Sequence, residues 1–551
     1  MNMGITIRRL TNVFIALLLI ISGVAAYVQI SDQAFFNGPP LSTGPYNAIG
    51  QCPPYNAPIR GTIYDRNGLK LAWSVPDSQA FCGYKRMYAD PTLAPLLGYF
   101  SYTYGTAGIE ATYDDQLSGL QHGVTIQNVA QKLLHRPQYG EDIYLTIDER
   151  LQQYANQVYD QKALHYTGFC QPAGTNPPGG LIVENPNNGE ILAMVSRPYY
   201  DPNRVAAGDT KYFQSLQADP NAPLTNHTTQ ITYVPGSGFK TLTLLAALDS
   251  GKVALDKQYD QNTAIYFTVN GEHINWIDKL NGQWSALQFP ITLQDAFAYS
   301  DNSVFAREAV GVGADQWLSY ARKFGISTPG QGMPDTKAVP FDGLQTQSTA
   351  FSANTNGKPT DFNDNLLAES GFGQGQLQIT LLTMTEMTSA IAANGLLYEP
   401  HVAWKIVPHG TAASDILPTA PTIYGGGPVI RPETATAIRK AMWAVTSYGT
   451  ANTINDPTTG QHLSQTGVFE GGKTGTGETG IGASANATGG KIQGWWNSLA
   501  PDDQAPGGAA AKYVIEITKE DVSSDYDNDG ACQVFVADHT YQYAMQHNIG
   551  Y

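Results

Sequence analysis

Cysteine is scarce and never clustered: Cys52, Cys82, Cys170 and Cys532 are the only four in 551 residues, and no two form a CxxC pair. That spacing argues against a zinc knuckle or a dithiol redox centre. Ten histidines are scattered without the HExxH spacing that sets two imidazoles on one helix face, so a zinc hydrolase has little support. No GxSxG elbow is present, and the glycine run GFGQGQ, Gly371 to Gln376, follows no clear strand and opens no phosphate cradle. It reads as a tight turn beside something important. Basic charge is also short, with 31 Lys and Arg against 47 Asp and Glu and a formal charge of −16. Without a basic run carrying interleaved aromatics, nucleic acid is not an expected partner. No metal and no cofactor are expected.

What is present is the composition of a large folded protein, 42% hydrophobic and 14% charged with no low-complexity tract. Two or more globular units are expected at this length, each burying its own core. Asn12 to Ile30 carries no charge and is just long enough to cross a hydrocarbon core. Arg8 and Arg9 precede it, which places the N-terminus in the cytoplasm and the rest of the chain outside. A cleaved signal peptide, with SGVAA as the small-residue site, is the competing reading. Both readings export the chain, where the cysteines read best as disulfides.

A linker rich in Pro, Gly and Asn runs to about Pro58. PIRGTIYDRNGLKLAWS then reads as a hairpin about Arg66-Asn67-Gly68. DIYLTIDERLQQYANQVYDQKAL reads as a strand, a capping Asp148 and an amphipathic helix. GGLIVENPNNGEILAMVS, Gly179 to Ser196, is a hairpin with an Asn-Asn-Gly turn. Helical patterns fill the middle, including TLLTMTEMTSAIAANG, which ends at Gly395. VFEGGKTGT, KIQGWWNSLA and AKYVIEITKE are three late strands before a final helix from about Cys532 to His547. Strands at both ends with helices between imply an antiparallel sheet assembled from distant segments and sandwiched by helices.

The stretch TYVPGSGFKTLTLLAALDSG, Thr232 to Gly251, sets a Pro-Gly turn, one serine and one lysine at the mouth of an apolar helix. Alone, Ser237 would read as an N-cap. Two further short motifs change that: Ser300-Asp301-Asn302, and Lys473-Thr474-Gly475-Thr476 on a late strand. Each is commonplace by itself. The ordered triple SxxK, SxN, KTG is the set used by penicillin-binding proteins and class A β-lactamases.

The chain resembles the class B penicillin-binding proteins, the membrane-anchored D,D-transpeptidases of bacterial cell-wall synthesis, over nearly its whole length. RGTIYDRNGLKLA and YGTAGIEATYDDQLSG resemble the start and end of their non-catalytic region. DIYLTIDERLQQ resembles the opening of their transpeptidase domain; NGEILAMVSRPYYDPN and ESGFGQGQLQITLLTMTEMTSAIAANG match further landmarks. Two departures stand out: Gly238 replaces the usual Ser or Thr after the nucleophile, and WWNSLAP stands where Trp-Phe-x-Gly-Phe-x-Pro is commoner. The resemblance implies an α/β (α+β) penicillin-binding transpeptidase or serine β-lactamase-like fold. It implies a cytoplasmic N-terminus over 1–11, a single transmembrane anchor over 12–30, a short non-catalytic pedestal over 31–140 and a transpeptidase domain over 141–551. No stretch resembles a glycosyltransferase domain, so the expected partners are peptidoglycan stem peptides, β-lactam antibiotics and a separate membrane glycosyltransferase.

Chemistry gives each residue a reason. A serine hydroxyl is a weak nucleophile until a base takes its proton, and a lysine at i+3 brings an amine within reach. Lys240 must then be neutral, which burial, the helix dipole and a second cation at Lys473 all favour. The resemblance places Ser300 between the two lysines as a proton relay and gives Asn302 the donor peptide's amide. Thr474 and Thr476, with Gly475 between them and Lys473 beside them, suit the terminal carboxylate of a D-Ala-D-Ala stem or a β-lactam. Backbone N–H groups of Ser237 and Thr476 would form the oxyanion hole.

Competing functions are a β-lactamase, for which no water-activating group can be identified, and a D,D-carboxypeptidase using water as acceptor. A penicillin-sensing receptor would need several membrane spans, and a non-catalytic scaffold would not need the reacting residues intact. Among three formally possible pairings, Cys52–Cys82 is expected because the two flank the RGTIYDRNG hairpin within one small region, and family topology implies Cys170–Cys532. DYDNDG, Asp525 to Gly530, matches half of a DxDxDG calcium loop, but position twelve is Val536, so it reads as a solvated acidic loop.

Overall fold

The computed structural model describes residues 15, 59–80, 83–119, 139–160, 178–276, 287–329, 348–350, 362–411, 421–452, 455–456, 459–478, 491–523 and 531–551. Apart from Ile15, the apolar run 12–30 lies outside them; among the described residues no helix is long and apolar enough to cross a membrane. Cys52, Cys82, Cys170, the Cys532 side chain and the loop Asp525 to Gly530 also lie outside, and with them the disulfide and calcium-loop expectations.

Two five-stranded sheets organise the chain. The elements that build and position the site are β1 (Ile63–Tyr64), β2 (Lys70–Pro76), β3 (Tyr84–Tyr88), β4 (Asp142–Leu145), α1 (Glu149–Tyr159), β5 (Gly179–Asn185), β6 (Glu190–Arg197), α2 (Lys240–Asp249), α3 (Asn302–Val312), α4 (Leu381–Ala392), β7 (Ala403–Val407), α5 (Pro432–Ser447), β8 (Gly471–Glu478), β9 (Lys491–Ala500), β10 (Tyr513–Ser523) and α6 (Ala531–Gln546).

The first sheet runs β7-β4-β1-β2-β3, with β1 and β4 parallel and the other pairs antiparallel. The expected hairpin is its centre: Asp65 Oδ1 accepts from Asn67 N at 2.8 Å and Leu69 N at 2.7 Å, closing the turn with a side chain. A buried ion network ties this sheet to the segment after β3. Arg60 Nε and Arg86 Nε donate to the two oxygens of Glu110 at 2.6 and 2.7 Å. Strand β7, from far along the chain, completes the edge beside β4.

The second sheet runs β8-β9-β10-β5-β6 and is antiparallel throughout. It joins the early Asn-Asn-Gly hairpin to the three late strands, as the sequence implied. Strands β5 and β6 are buried at every residue, so they read as near-continuous apolar runs rather than alternating ones. Helices α1 and α6 pack together on one face, and α4 and α5 cover the other. Asp148 caps α1, accepting from Arg150 N at 3.1 Å, and Leu151, Ala155 and Val158 turn one stripe inward. Helix α4 is buried at all its residues because sheet and helices surround it.

Candidate active site

The apolar helix following Pro235 does not begin as an α-helix. Gly236–Phe239 form a 3-10 turn that passes into α2 at Lys240, and Ser237 caps nothing with its side chain. A 3-10 turn has three residues per turn, so positions i and i+3 eclipse. The lysine therefore stands directly over the serine, with Lys240 Nζ 2.6 Å from Ser237 Oγ. Gly236 has φ +55, and a Cβ there would lie 2.2 Å from Thr476 O. Only glycine allows the nucleophile turn to press so closely on β8.

The second motif enters at the start of α3. Asp301 caps this helix, accepting from Val304 N at 3.1 Å. Burial pushes the Asp301 carboxyl up to about 7, while the Val304 N–H and the nearby Lys240 pull the other way. Ser300, just before the cap, is held at φ +61, a backbone region that non-glycine residues seldom occupy. Such outliers concentrate at functional sites. The bend brings Ser300 Oγ to 3.3 Å from Lys240 Nζ, and Asn302 Oδ1 to 2.7 Å from the same amine.

The third motif lies on β8, an edge strand. Lys473 Nζ donates to Ser300 Oγ at 3.0 Å and to Thr474 O at 2.9 Å. Ser300 thus stands between two lysines, both fully buried. Aromatic faces back both amines, with Phe297 centred 5.6 Å from Lys473 Nζ and Phe372 centred 6.0 Å from Lys240 Nζ. Gly475 also presses on the nucleophile turn, since a Cβ there would meet Gly238 N and Pro235 O, each at 2.9 Å. Thr474 is buried and Thr476 half-buried.

All eight residues singled out by the sequence, Ser237, Lys240, Ser300, Asn302, Lys473, Thr474, Gly475 and Thr476, belong to these three converging segments. The glycine run is the fourth wall: Gly236 N donates to Gly373 O at 2.9 Å, and Gln374 Nε2 donates to Thr476 O at 3.2 Å. Sequence reasoning flagged that run without naming Gln374. It missed Thr450, whose hydroxyl lies 2.9 Å from Thr474 Oγ1. A Gly-Thr pair after a helix is too ordinary a signal to find it.

Known proteins resemble this chain in sequence and in fold. The chain is 28% identical over 405 residues to the peptidoglycan D,D-transpeptidase PbpA of Mycolicibacterium smegmatis, covering 73% of this chain and 75% of that one. The peptidoglycan D,D-transpeptidase MrdA of Escherichia coli K12 is 27% identical over 332 residues, covering 58% of this chain and 47% of that protein. The fold is similar to that of penicillin-binding protein A from Mycobacterium tuberculosis in its penicillin G acyl-enzyme complex, with a TM-score of 0.71, 24% identity and coverage of 89% and 100%. Residues 60–143 match the penicillin binding protein A dimerisation domain. Residues 179–514, more than half of the sequence, match the penicillin binding protein transpeptidase domain, and the chain belongs to the penicillin-binding protein transpeptidase family.

Proposed function

We propose that this protein is a peptidoglycan D,D-transpeptidase that cross-links stem peptides through an acyl-enzyme on Ser237 and is acylated by β-lactams at the same oxygen. One observation carries the reading: Lys240 Nζ is 2.6 Å from Ser237 Oγ, and both Lys240 and Lys473 reach the single hydroxyl of Ser300. This is a nucleophile, a base and a relay in hydrogen-bonding sequence.

In the first half-reaction the neutral Lys240 amine takes the Ser237 proton as Oγ attacks the carbonyl of the penultimate D-alanine. The oxyanion is received by the backbone N–H groups of Ser237 and Thr476, an interaction that contributes a few kcal/mol. The proton passes through Ser300 to the departing D-alanine amine, which leaves as the acyl-enzyme forms. Lys473 holds Ser300 oriented and adds positive charge beside the donor's carboxylate, which Thr474 and Thr476 bind. Asn302 keeps Lys240 aimed through Oδ1 and offers its amide N–H to the donor peptide. An acceptor amine then attacks the ester and loses its proton along the same route in reverse. With a β-lactam the ring nitrogen replaces the leaving amine but stays tethered, so the adduct persists.

The same reading places residues 12–30 as a single-pass anchor, residues 31–140 as a pedestal and 141–551 as an extracytoplasmic catalytic domain. Charge asymmetry at Arg8 and Arg9 and the family supply its support. A membrane glycosyltransferase would make the glycan strands.

Incubation with a labelled penicillin followed by intact-mass analysis tests the proposal. The expected result is one adduct on the wild type, none on Ser237→Ala, and almost none on Lys240→Ala. A wild-type domain, folded by circular dichroism, that gains no adduct would instead make the chain a non-catalytic scaffold.

A further inference from the structure

The segment after α5 touches two of the three motifs at once. Thr450 N donates to Ala298 O at 3.0 Å, two residues before Ser300, and Thr450 Oγ1 lies 2.9 Å from Thr474 Oγ1. Both threonines are buried, Thr450 at 4% exposure and Thr474 at 2%. The approach is tight: a Cβ on Gly449 would lie 2.4 Å from Ala298 O. Thr474 is also held through its main chain, because its carbonyl accepts from Lys473 Nζ at 2.9 Å.

A threonine hydroxyl has one proton to donate and lone pairs to accept with. If Thr474 gives its proton to a carboxylate, its lone pairs are free to accept, and Thr450 is the hydroxyl beside them. We propose that Thr450 is a positioning residue: its hydroxyl donates to Thr474 Oγ1 and turns the Thr474 proton toward the acyl donor's carboxylate, while its N–H fixes the Ser300 loop against β8. This rests on the transpeptidase reading, to which it adds how carboxylate recognition is set. Valine, which has the shape of threonine without the hydroxyl, leaves the backbone contact with Ala298 intact and removes the orienting bond.

The test is acylation of Ser237 by benzylpenicillin and by its methyl ester, followed by intact mass in wild type, Thr450→Val and Thr450→Ser. Loss of an orienting bond to a group that binds charge predicts that Thr450→Val lowers the second-order rate constant for the free acid about tenfold or more. The loss should lie mainly in the binding constant rather than in the acylation step. Thr450→Ser should restore the rate to within about threefold of wild type. With the ester, slower throughout, wild type and Thr450→Val should match. An equal loss on acid and ester would make Thr450 merely structural, and a Thr450→Val rate equal to wild type on the acid would remove the role outright. Either result overturns this inference alone, whereas an absent wild-type adduct overturns the transpeptidase reading and this one with it.

Discussion

Glu110, beside the first sheet, and the trio Glu184, Glu386 and Glu516, within the second, are equally inaccessible yet end in opposite charge states. Glu110 receives Arg60 Nε, Arg86 Nε and, at 3.0 Å, the Tyr88 hydroxyl. Burial raises its pKa, but the Arg86 and Arg60 guanidiniums outweigh that and hold the carboxyl below its ordinary range. Among the described residues the trio has no cation. Glu184 on β5 and Glu516 on β10 are diagonal neighbours in the ladder on the face that meets α4, which carries Glu386. Glu184 Oε2, Glu516 Oε2 and both Glu386 oxygens find no hydrogen-bond partner among the described residues. Burial pushes Glu184 up to about 8, and burial with repulsion from Glu184 pushes Glu386 well above its ordinary value. Burial does the same to Glu516, although Thr388 donates to it. What surrounds a buried carboxyl, not burial itself, decides whether it is charged.

The largest expected effect comes from breaking the paired site. Glu110→Gln leaves Arg86 buried without a carboxylate and Arg60 with Asp114 as its remaining one, and losing one partner of such a network costs about 3–5 kcal/mol. Urea denaturation at neutral pH measures it. A loss below about 1 kcal/mol would mean that packing rather than charge holds this region together.

Next comes pH, where the two sites have opposite signs. Glu184 has a folded pKa of about 8, above that of the unfolded chain, so the native state retains a proton that the unfolded state has released. Its stabilising contribution is complete below the unfolded value and is lost as pH rises through about 8. Glu110 is depressed, so its contribution is present above the unfolded value and lost as pH falls. Wild-type stability should therefore fall by on the order of 3 kcal/mol from about pH 5 to pH 8 through Glu184 and its neighbours. Glu184→Gln should flatten that decline, and an unchanged slope would show that the trio is not the titrating group.

The contrast also marks what the sequence could reveal. The convergence of SxxK, SxN and KTG was legible because each motif is local and its order is informative; the Asn-Asn-Gly hairpin was legible because turn chemistry sits in adjacent residues. Pairing of Glu110 with Arg60 and Arg86 was not, because it joins residues 50 and 24 positions apart. Nor was the addition of β7 to the first sheet, a contact between distant segments with no local signature. The 3-10 turn under Lys240 escaped because periods of 3.0 and 3.6 cannot be separated over four residues. Ser300 was placed beside Lys240 only through a resemblance, since no periodicity brings positions 60 apart together, and the contact of Asn302 Oδ1 with Lys240 was not foreseen.

The smallest effect concerns a neutral group packed against one departure from the family pattern, Gly238. Asn497 on β9 is fully buried, its Oδ1 has no partner among the described residues, and its Nδ2 reaches Gly238 O at 3.4 Å. A Cβ on Gly238 would lie 2.9 Å from that Nδ2 and 3.1 Å from Oδ1. The asparagine side chain therefore fills the room that a serine or threonine at 238 would take, and it does so directly across the ladder from Lys473. Gly238→Ser alone overpacks this spot and should cost about 1–3 kcal/mol. In an Asn497→Gly background the same change should cost less, because the clash is gone and the vacated volume is refilled. A double-mutant cycle by urea denaturation should return a coupling of about 1 kcal/mol favouring the pair. Additive effects would mean that residue 238 and Asn497 do not compete for the same space. They would also remove the one case here in which an unpartnered buried oxygen is explained by shape rather than by charge.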